Sequence, residues 1–158
     1  MTQIRAFRPY VVAPQHAIAV VSPAYDSMSP AQRRIFCETH PKNYINTMQA
    51  ADDFPISERP TEAQVLEGNA RQLQAMLKNG SYRDSDTDAV FIYQLSIDGH
   101  TQTGVVAEIP VGEYQNGSIR RHEETRKEHE ERLSRYLDIV GASSSPICLA
   151  YAGSTEID

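Results

Sequence analysis

The residues whose types and spacing are best suited to chemistry lie in one run, Asn116-Gly117-Ser118-Ile119-Arg120-Arg121-His122-Glu123-Glu124-Thr125. Asn-Gly makes a tight turn, and two arginines and a histidine follow it closely. Thr125-Arg126-Lys127-Glu128 has the Thr-x-x-Glu spacing of a capping box, so a helix is expected to open with Thr125 as its N-cap. Unpaired amides and the helix dipole at such an end attract anions rather than cations. Gathering Arg120, Arg121, Arg126 and Lys127 there is locally unfavourable unless an anion or nearby carboxylates compensate. The chemistry this suggests is the binding of a phosphate or carboxylate.

Stepping back by helical turns from Leu133 along the apolar stripe of the same helix leads to His129, Arg126 and, if the helix extends, His122. A polar continuation of a buried stripe faces either a cleft or water. The charges also admit a simpler account. Arg120 to Arg132 contains five Lys/Arg and five Asp/Glu, so the run is locally neutral and can satisfy itself through pairs such as Glu128–Arg132 and Glu131–Arg135. Such a run is commonly a solvated helix face. No metal site is expected, because His122 has no second histidine at the i,i+4 spacing and His129 comes seven residues on.

Two further segments qualify. Ser22-Pro23-Ala24-Tyr25-Asp26 follows an apolar run that reads as a strand, and open α/β sheets place ligands at the C-terminal ends of strands. Tyr25 is a candidate ligand contact, and Asp26 a candidate general base or cation ligand, although an aspartate in a proline-bounded loop also caps turns. Gln102-Thr103-Gly104 places a glycine inside a strand, where it marks a bulge or the close approach of a ligand or backbone. Asp98-Gly99-His100 is explained by the hairpin turn alone. There is no phosphate loop, GxGxxG, nucleophile elbow or Cys–His pairing at a recognisable spacing.

The elements that must position these residues are legible in outline. Ile4–Phe7 and Ala17–Val21 read as strands, the second almost wholly apolar and therefore central. Ser29-Pro30-Ala31-Gln32 opens a short helix that stops before Pro41. Residues 52–60, with two prolines, form a loop. Thr61-Glu62-Ala63-Gln64 opens a second helix carrying Val65, Leu66, Leu73, Met76 and Leu77 on one face and closing at Asn79-Gly80. After an acidic turn at residues 84–88, Ala89–Ile97 and Thr101–Ile109 flank Asp98-Gly99 as a hairpin. The third helix keeps Leu133, Tyr136, Leu137 and Val140 on one stripe and ends at Gly141, and Ile147–Tyr151 reads as a last strand after a Ser-rich linker. The expected fold is α+β, a mixed sheet with a central hairpin and about three helices, in one domain over residues 1–158.

Bulk properties narrow the function. The chain has 158 residues, 40% of them hydrophobic and 23% charged, which is ordinary globular usage. A formal charge of −6 opposes a general nucleic-acid binder. No apolar run is long enough to cross a bilayer, and Met1–Arg5 lacks a signal-peptide core. Cys37 and Cys148, each among apolar neighbours, read as two buried reduced thiols and so as a cytoplasmic protein. Oligomeric state is left open.

A family resemblance runs through the same residues. Ile4-Arg5-Ala6-Phe7-Arg8, then Ser22-Pro23-Ala24-Tyr25-Asp26-Ser27-Met28-Ser29, then Gln102-Thr103-Gly104, then Asn116-Gly117 with Arg121-His122-Glu123-Glu124-Thr125, then Lys127-Glu128 and Pro146–Tyr151 keep the family's order. Together they resemble the uncharacterised bacterial and archaeal domain-of-unknown-function 1015 family, whose members are often described as SpoOJ/ParA/ParB-like. The family's Pro-Pro-Tyr-Asp is Pro23-Ala24-Tyr25-Asp26 here. The later Asp-Gly-His-His-Arg motif of the family, similar to that of ParB-related free-serine kinases, is not present, so the chain is expected to be the N-terminal part of a longer protein.

The resemblance implies a nucleotide- or phosphate-binding domain, half of a phosphoryl-transfer enzyme, using a nucleotide with magnesium. Arg120, Arg121 and His122 would then hold phosphate oxygens. Asp26 or Glu123 would hold the magnesium or take a proton. Asn116, Thr125, Lys127, Tyr25, Gln102, Thr103 and Gly104 would complete the ligand contacts, and His122 joins Asp26 and Glu123 as a candidate catalytic residue. A non-catalytic regulatory or interaction module is the alternative, and DNA binding ranks last.

Overall fold

Local capping explains where the two best-formed helices start. In the computed structural model, which describes residues 2–120, 124–144 and 146–150, Ser29 Oγ accepts the Gln32 N–H while the Gln32 side chain accepts the Ser29 N–H. Thr61 and Gln64 repeat the reciprocal pair. These boxes open α2, Pro30–Thr39, and α3, Glu62–Lys78. Gly80, at φ 77°, turns the chain out of α3 in the left-handed conformation that glycine adopts without a Cβ penalty.

The remaining elements are β1 (Tyr10–Val12), α1 (Ala17–Val20), β2 (Tyr82–Asp84), β3 (Phe91–Ile97), β4 (His100–Val106), α4 (Val111–Gln115) and α5 (Lys127–Val140), with short 3-10 turns between them. The fold is α+β, as expected, and the three expected helices are the three long ones. The sheet is different. There are two separate antiparallel pairs, β1 with β2 and β3 with β4, rather than one mixed sheet.

Two expected strands are replaced. Ala17–Val20 is helical, following a 3-10 turn begun by Pro14, and it buries Val20 while leaving Ile18 98% exposed. A five-residue apolar run does not separate strand from helix by its period, and two alanines favour the helix. Residues 4–7 make only single bridges, Arg5 to Glu108 and Phe7 to Ala89, at the base of the β3–β4 hairpin. The strands that do form near the core, β1 and β2, lie outside the expected set. β2 takes in Asp84, where the acidic turn was expected to begin. The hairpin itself is as read, with Asp98 and Gly99 both at positive φ, 48° and 78°.

The core sits where α3, α5, α1 and the 3-10 turn Tyr44–Thr47 meet. Val20, Tyr44, Leu73, Met76 and Val140 form one buried cluster, with Val12, Met48, Leu77, Tyr82 and Tyr136 packed around it. Asn43 ties α1 to that turn: its Nδ2 donates to the carbonyls of Val21 (2.7 Å) and Ala19 (3.4 Å), and its Oδ1 accepts the Ile45 N–H. Cys37 is buried as expected, but Cys148 is exposed. Residues 146–150 have no regular structure, so the expected last strand is not formed there, and Tyr151 lies outside the described residues.

Candidate functional site

The chain leaves α1 at Val21, passes through Ser22-Pro23-Ala24 and enters a 3-10 turn at Tyr25–Ser27. The two prolines flanking this passage, Pro23 and Pro30, keep it out of regular structure. It forms one wall of a cleft of about 480 Å³ whose apolar side is made by Val12, Val20, Tyr44, Met48 and Tyr82. Tyr44 and Tyr82 meet edge to face, with centroids 6.0 Å apart, an arrangement favoured by the ring quadrupoles. The Asp26 carboxylate has no hydrogen bond or ion pair among the described residues.

A buried charge cluster holds this wall in place. Arg33, on α2, donates through Nε to Asp53 Oδ1 (2.8 Å) and through Nη1 to the carbonyls of Met28 (2.7 Å) and Tyr25 (3.4 Å). Its guanidinium lies 4.0 Å from the centroid of the Tyr25 ring. Asp53 Oδ2 accepts the Ala50 N–H (2.8 Å) and the Tyr25 hydroxyl (3.5 Å). The Arg33 and Asp53 side chains are only 10% and 3% exposed. Burial, and then the Asp53 carboxylate, push the Tyr25 phenol up, while Arg33 and Arg132 pull it part of the way back.

Tyr25 and Asp26 are therefore brought together on one cleft. The other sequence-predicted residues are placed elsewhere. Gln102, Thr103 and Gly104 lie on β4, and none of them lines the cleft. The register runs unbroken from Phe91–Val106 to Ile97–His100, so Gly104 marks no bulge. Nothing lies within 4 Å of where its Cβ would be, so no close approach demands it either. Gln102 and Gly104 face the side of Leu95 and Tyr93, whereas Thr103 pairs on the opposite face with Gln94 (3.2 Å).

Asn116 ends α4. Its Oδ1 accepts the Ser118 N–H (2.9 Å), and Gly117 follows at φ 80°. Arg120 is exposed, and Arg121, His122 and Glu123 lie outside the described residues. The N-cap of α5 is Arg126, with no side-chain cap, rather than Thr125. The Thr125 hydroxyl instead donates to Glu130 Oε1 (2.9 Å), and Lys127 pairs with Glu131 (3.8 Å). The Thr-x-x-Glu spacing does not become a box here because the longer reach to Glu130 takes the hydroxyl. Of the expected pairs, Glu131–Arg135 gives way to Arg135–Glu62 (3.1 Å), a contact between α5 and α3.

Residues that the sequence did not single out complete the site: Arg33, Asp53, Tyr44 and Tyr82. Asp53 cannot be told from Asp52 by type, since only burial separates them. Among the described residues, no group of three or more His, Cys, Asp or Glu could hold a metal ion, and no helix is long and apolar enough to cross a membrane.

The tyrosines beside the cleft make a prediction about pH. Burial pushes the Tyr82 phenol from its usual value near 10 up to about 12, and it pushes Tyr136 up as well. A phenol raised in the folded state contributes its full stability below pH 10 and loses it as pH climbs through the folded value. The melting temperature is expected to fall between pH 10 and about 12, and to fall less in Tyr82→Phe. Melting curves across that range check it, and identical profiles for the two proteins would contradict it.

Fold and site together define an α+β protein with an aromatic-floored cleft backed by a buried arginine–aspartate pair. The chain belongs to the protein family of unknown function DUF1015, whose model matches residues 4–158. No curated protein and no solved structure matches it.

Proposed function

We propose that this chain binds a small phosphorylated ligand of the nucleotide class in the cleft walled by Ser22–Asp26, as the binding part of a phosphoryl-transfer system. The observation that carries this reading is that Tyr25 and Asp26 share one cleft with Tyr44 and Tyr82. An apolar pocket with a few convergent polar groups is the usual form of a small-molecule site. A planar base suits the aromatic floor, and an unpaired carboxylate at the wall suits a magnesium ion or a proton acceptor. Free thiols at Cys37 and Cys148 accord with the reducing cytoplasm.

Calorimetric titration of the chain with ATP, ADP and CTP, with and without magnesium, tests the reading. At least one nucleotide is expected to bind. Asp26→Asn is expected to remove the gain that magnesium brings, about tenfold in Kd, while leaving magnesium-free binding intact. No heat with any of the three nucleotides would reject the proposal.

A second reading, a non-catalytic interaction module, draws on the β3–β4 hairpin. Phe91, Tyr93, Leu95 and Ile97 share one of its faces and are exposed, and a two-stranded hairpin is marginal without something packed on it. Concentration-dependent mass in light scattering, without nucleotide binding, would favour that reading.

A further inference from the structure

We infer that two copies of this chain pair through the apolar face of the β3–β4 hairpin, with β3 of each copy lying over β4 of the other. The pairing is separate from the cleft, since no residue of the hairpin lines it.

The alternation in β3 is that of a strand with one face in a core. Phe91, Tyr93, Leu95 and Ile97 point to one side, and Ile92, Gln94 and Ser96 to the other. Beyond Ile92 the second side is satisfied within the hairpin. Gln94 Nε2 donates to Thr103 Oγ1 (3.2 Å), and the Ser96 and Thr101 hydroxyls share a hydrogen bond (2.8 Å). The apolar side has no core to meet. Phe7 touches only its base, edge-on to Phe91 with centroids 6.0 Å apart, and exposure rises from 37% at Phe91 to 72% at Ile97. No third strand pairs with β3 or β4 among the described residues, and a lone two-stranded hairpin is marginal in water.

Charge, shape and area each favour a second copy as what covers this face. Residues 89–107 carry one charged side chain, Asp98 at the turn, in a chain that is 23% charged. Two molecules of net charge −6 repel over most of their surface and meet at least cost through the stretch without charge. The hairpin also lacks the lysine, proline or bulge that normally blocks association of open strand edges. Its face is self-complementary in shape. Tyr93 stands opposite Gly104, and nothing lies within 4 Å of where a Gly104 Cβ would be. A ridge on β3 thus runs beside a notch on β4, and in the crossed arrangement the Tyr93 of each copy enters the notch of the other. The four ridge side chains expose roughly 400 Å² per copy on typical residue areas. With His100, Gln102 and Val106 beside them, the pair buries about 1,200 Å² in total, the lower end of specific interfaces. The chain as a whole exposes 12268 Å², where a compact chain of 17.7 kDa exposes about 7,900 Å². The thirteen residues outside the described set account for at most about 2,100 Å² of that difference, so surface remains for an interface of this size.

Sedimentation equilibrium of the chain from about 1 μM to about 200 μM tests the pairing, a range that brackets the micromolar Kd such an interface allows. A monomer–dimer equilibrium that stops at two copies is expected. Leu95→Lys is expected to weaken it about a hundredfold, because the symmetry puts two lysines into one interface. Gly104→Trp fills the notch at a position where the lone chain has room for a side chain, and is expected to weaken pairing about tenfold. Ser96→Lys, on the opposite face, is expected to stay within about threefold. All three positions are exposed in the single chain, and circular dichroism checks that each variant folds. A chain that stays monomeric throughout overturns the inference and gives the face to a different protein surface. Assembly that grows past two copies overturns it too, as does an equal loss in Leu95→Lys and Ser96→Lys, since either shows edge-on or unspecific association. Gly104→Trp that pairs as well as the unaltered chain overturns the seating of Tyr93 in the notch. A monomeric chain leaves the nucleotide reading standing, and a dimer that takes no nucleotide rejects that reading alone.

Discussion

Asp53→Ala is expected to lower the unfolding free energy by about 3–5 kcal/mol, the cost of leaving a buried charge without its partner. Arg33 would remain, 10% exposed, with its guanidinium against the Tyr25 ring and no carboxylate to receive its Nε proton. The Ala50 N–H would lose its acceptor as well. Both costs arise because burial removes the water that would otherwise solvate these groups. Replacing both partners, as in Arg33→Met with Asp53→Leu, is expected to recover much of the loss, since a well-packed apolar pair avoids the desolvation that the ion pair bears. Urea titration of the single and double variants measures this. A loss below about 1 kcal/mol in Asp53→Ala would show that water reaches the pair and that it behaves like a surface bridge.

The same substitution bears on the cleft. Arg33 holds the carbonyls of Tyr25 and Met28, which bracket Asp26. In the double variant those bonds are gone even where stability returns, so ligand binding should stay weakened when folding recovers. That separation of stability from binding is the mark of a pair that positions a site.

Val140→Asp is the second large effect. The new carboxylate would sit among Val20, Tyr44, Leu73 and Met76, none of which carries a positive charge. Residual desolvation of a buried ion costs several kcal/mol even after relaxation, enough to use up much of the stability of a domain this size. The structure offers a cheaper response, which is for α5 to leave α3. Besides the packing of Tyr136 on that cluster, its side-chain ties among the described residues include the Tyr136–Thr47 hydrogen bond and the exposed Arg135–Glu62 bridge, and an exposed bridge contributes little. Val140→Ala, which removes apolar contact without adding charge, is expected to cost only about 2 kcal/mol. Helical circular dichroism with hydrogen exchange should show α5 losing protection before α3 in Val140→Asp. Equal protection in both helices would mean that α5 is held by contacts other than these.

Much of the architecture could be read locally. Ser29–Gln32 and Thr61–Gln64 close their capping boxes within four residues, so neither needs the rest of the chain. Asp98-Gly99 sets the hairpin turn by its backbone preference, and Gly141, at φ 79°, ends α5 for the same reason. Failures came where a local signal competed with a distant one. Thr125 has the right spacing for a cap, yet its hydroxyl goes to Glu130. Ala17–Val20 has the apolarity of a buried strand, yet its neighbours require only Val20 to be inside. β1 and β2 pair across some seventy residues of chain, a partnership that neither short segment announces.

The candidate site divides in the same way. The Asn116–Thr125 run and the Tyr25-Asp26 pair are recognisable as residues able to meet an anion or a metal, because residue type and the order of neighbours decide that much. Sequence alone also determined the α+β class, the three long helices and the hairpin, all of which rest on short-range periodicity and turn chemistry. Tertiary structure decided which chemistry shares a space. It set Tyr25 and Asp26 against Tyr44 and Tyr82, and it buried Asp53 while leaving Asp52 outside. It also chose the Tyr136–Val140 side of α5 over the Leu133–Leu137 side. The physical reason is that a helix with apolar residues on two adjacent stripes has no preferred face until a partner surface removes one of them from water.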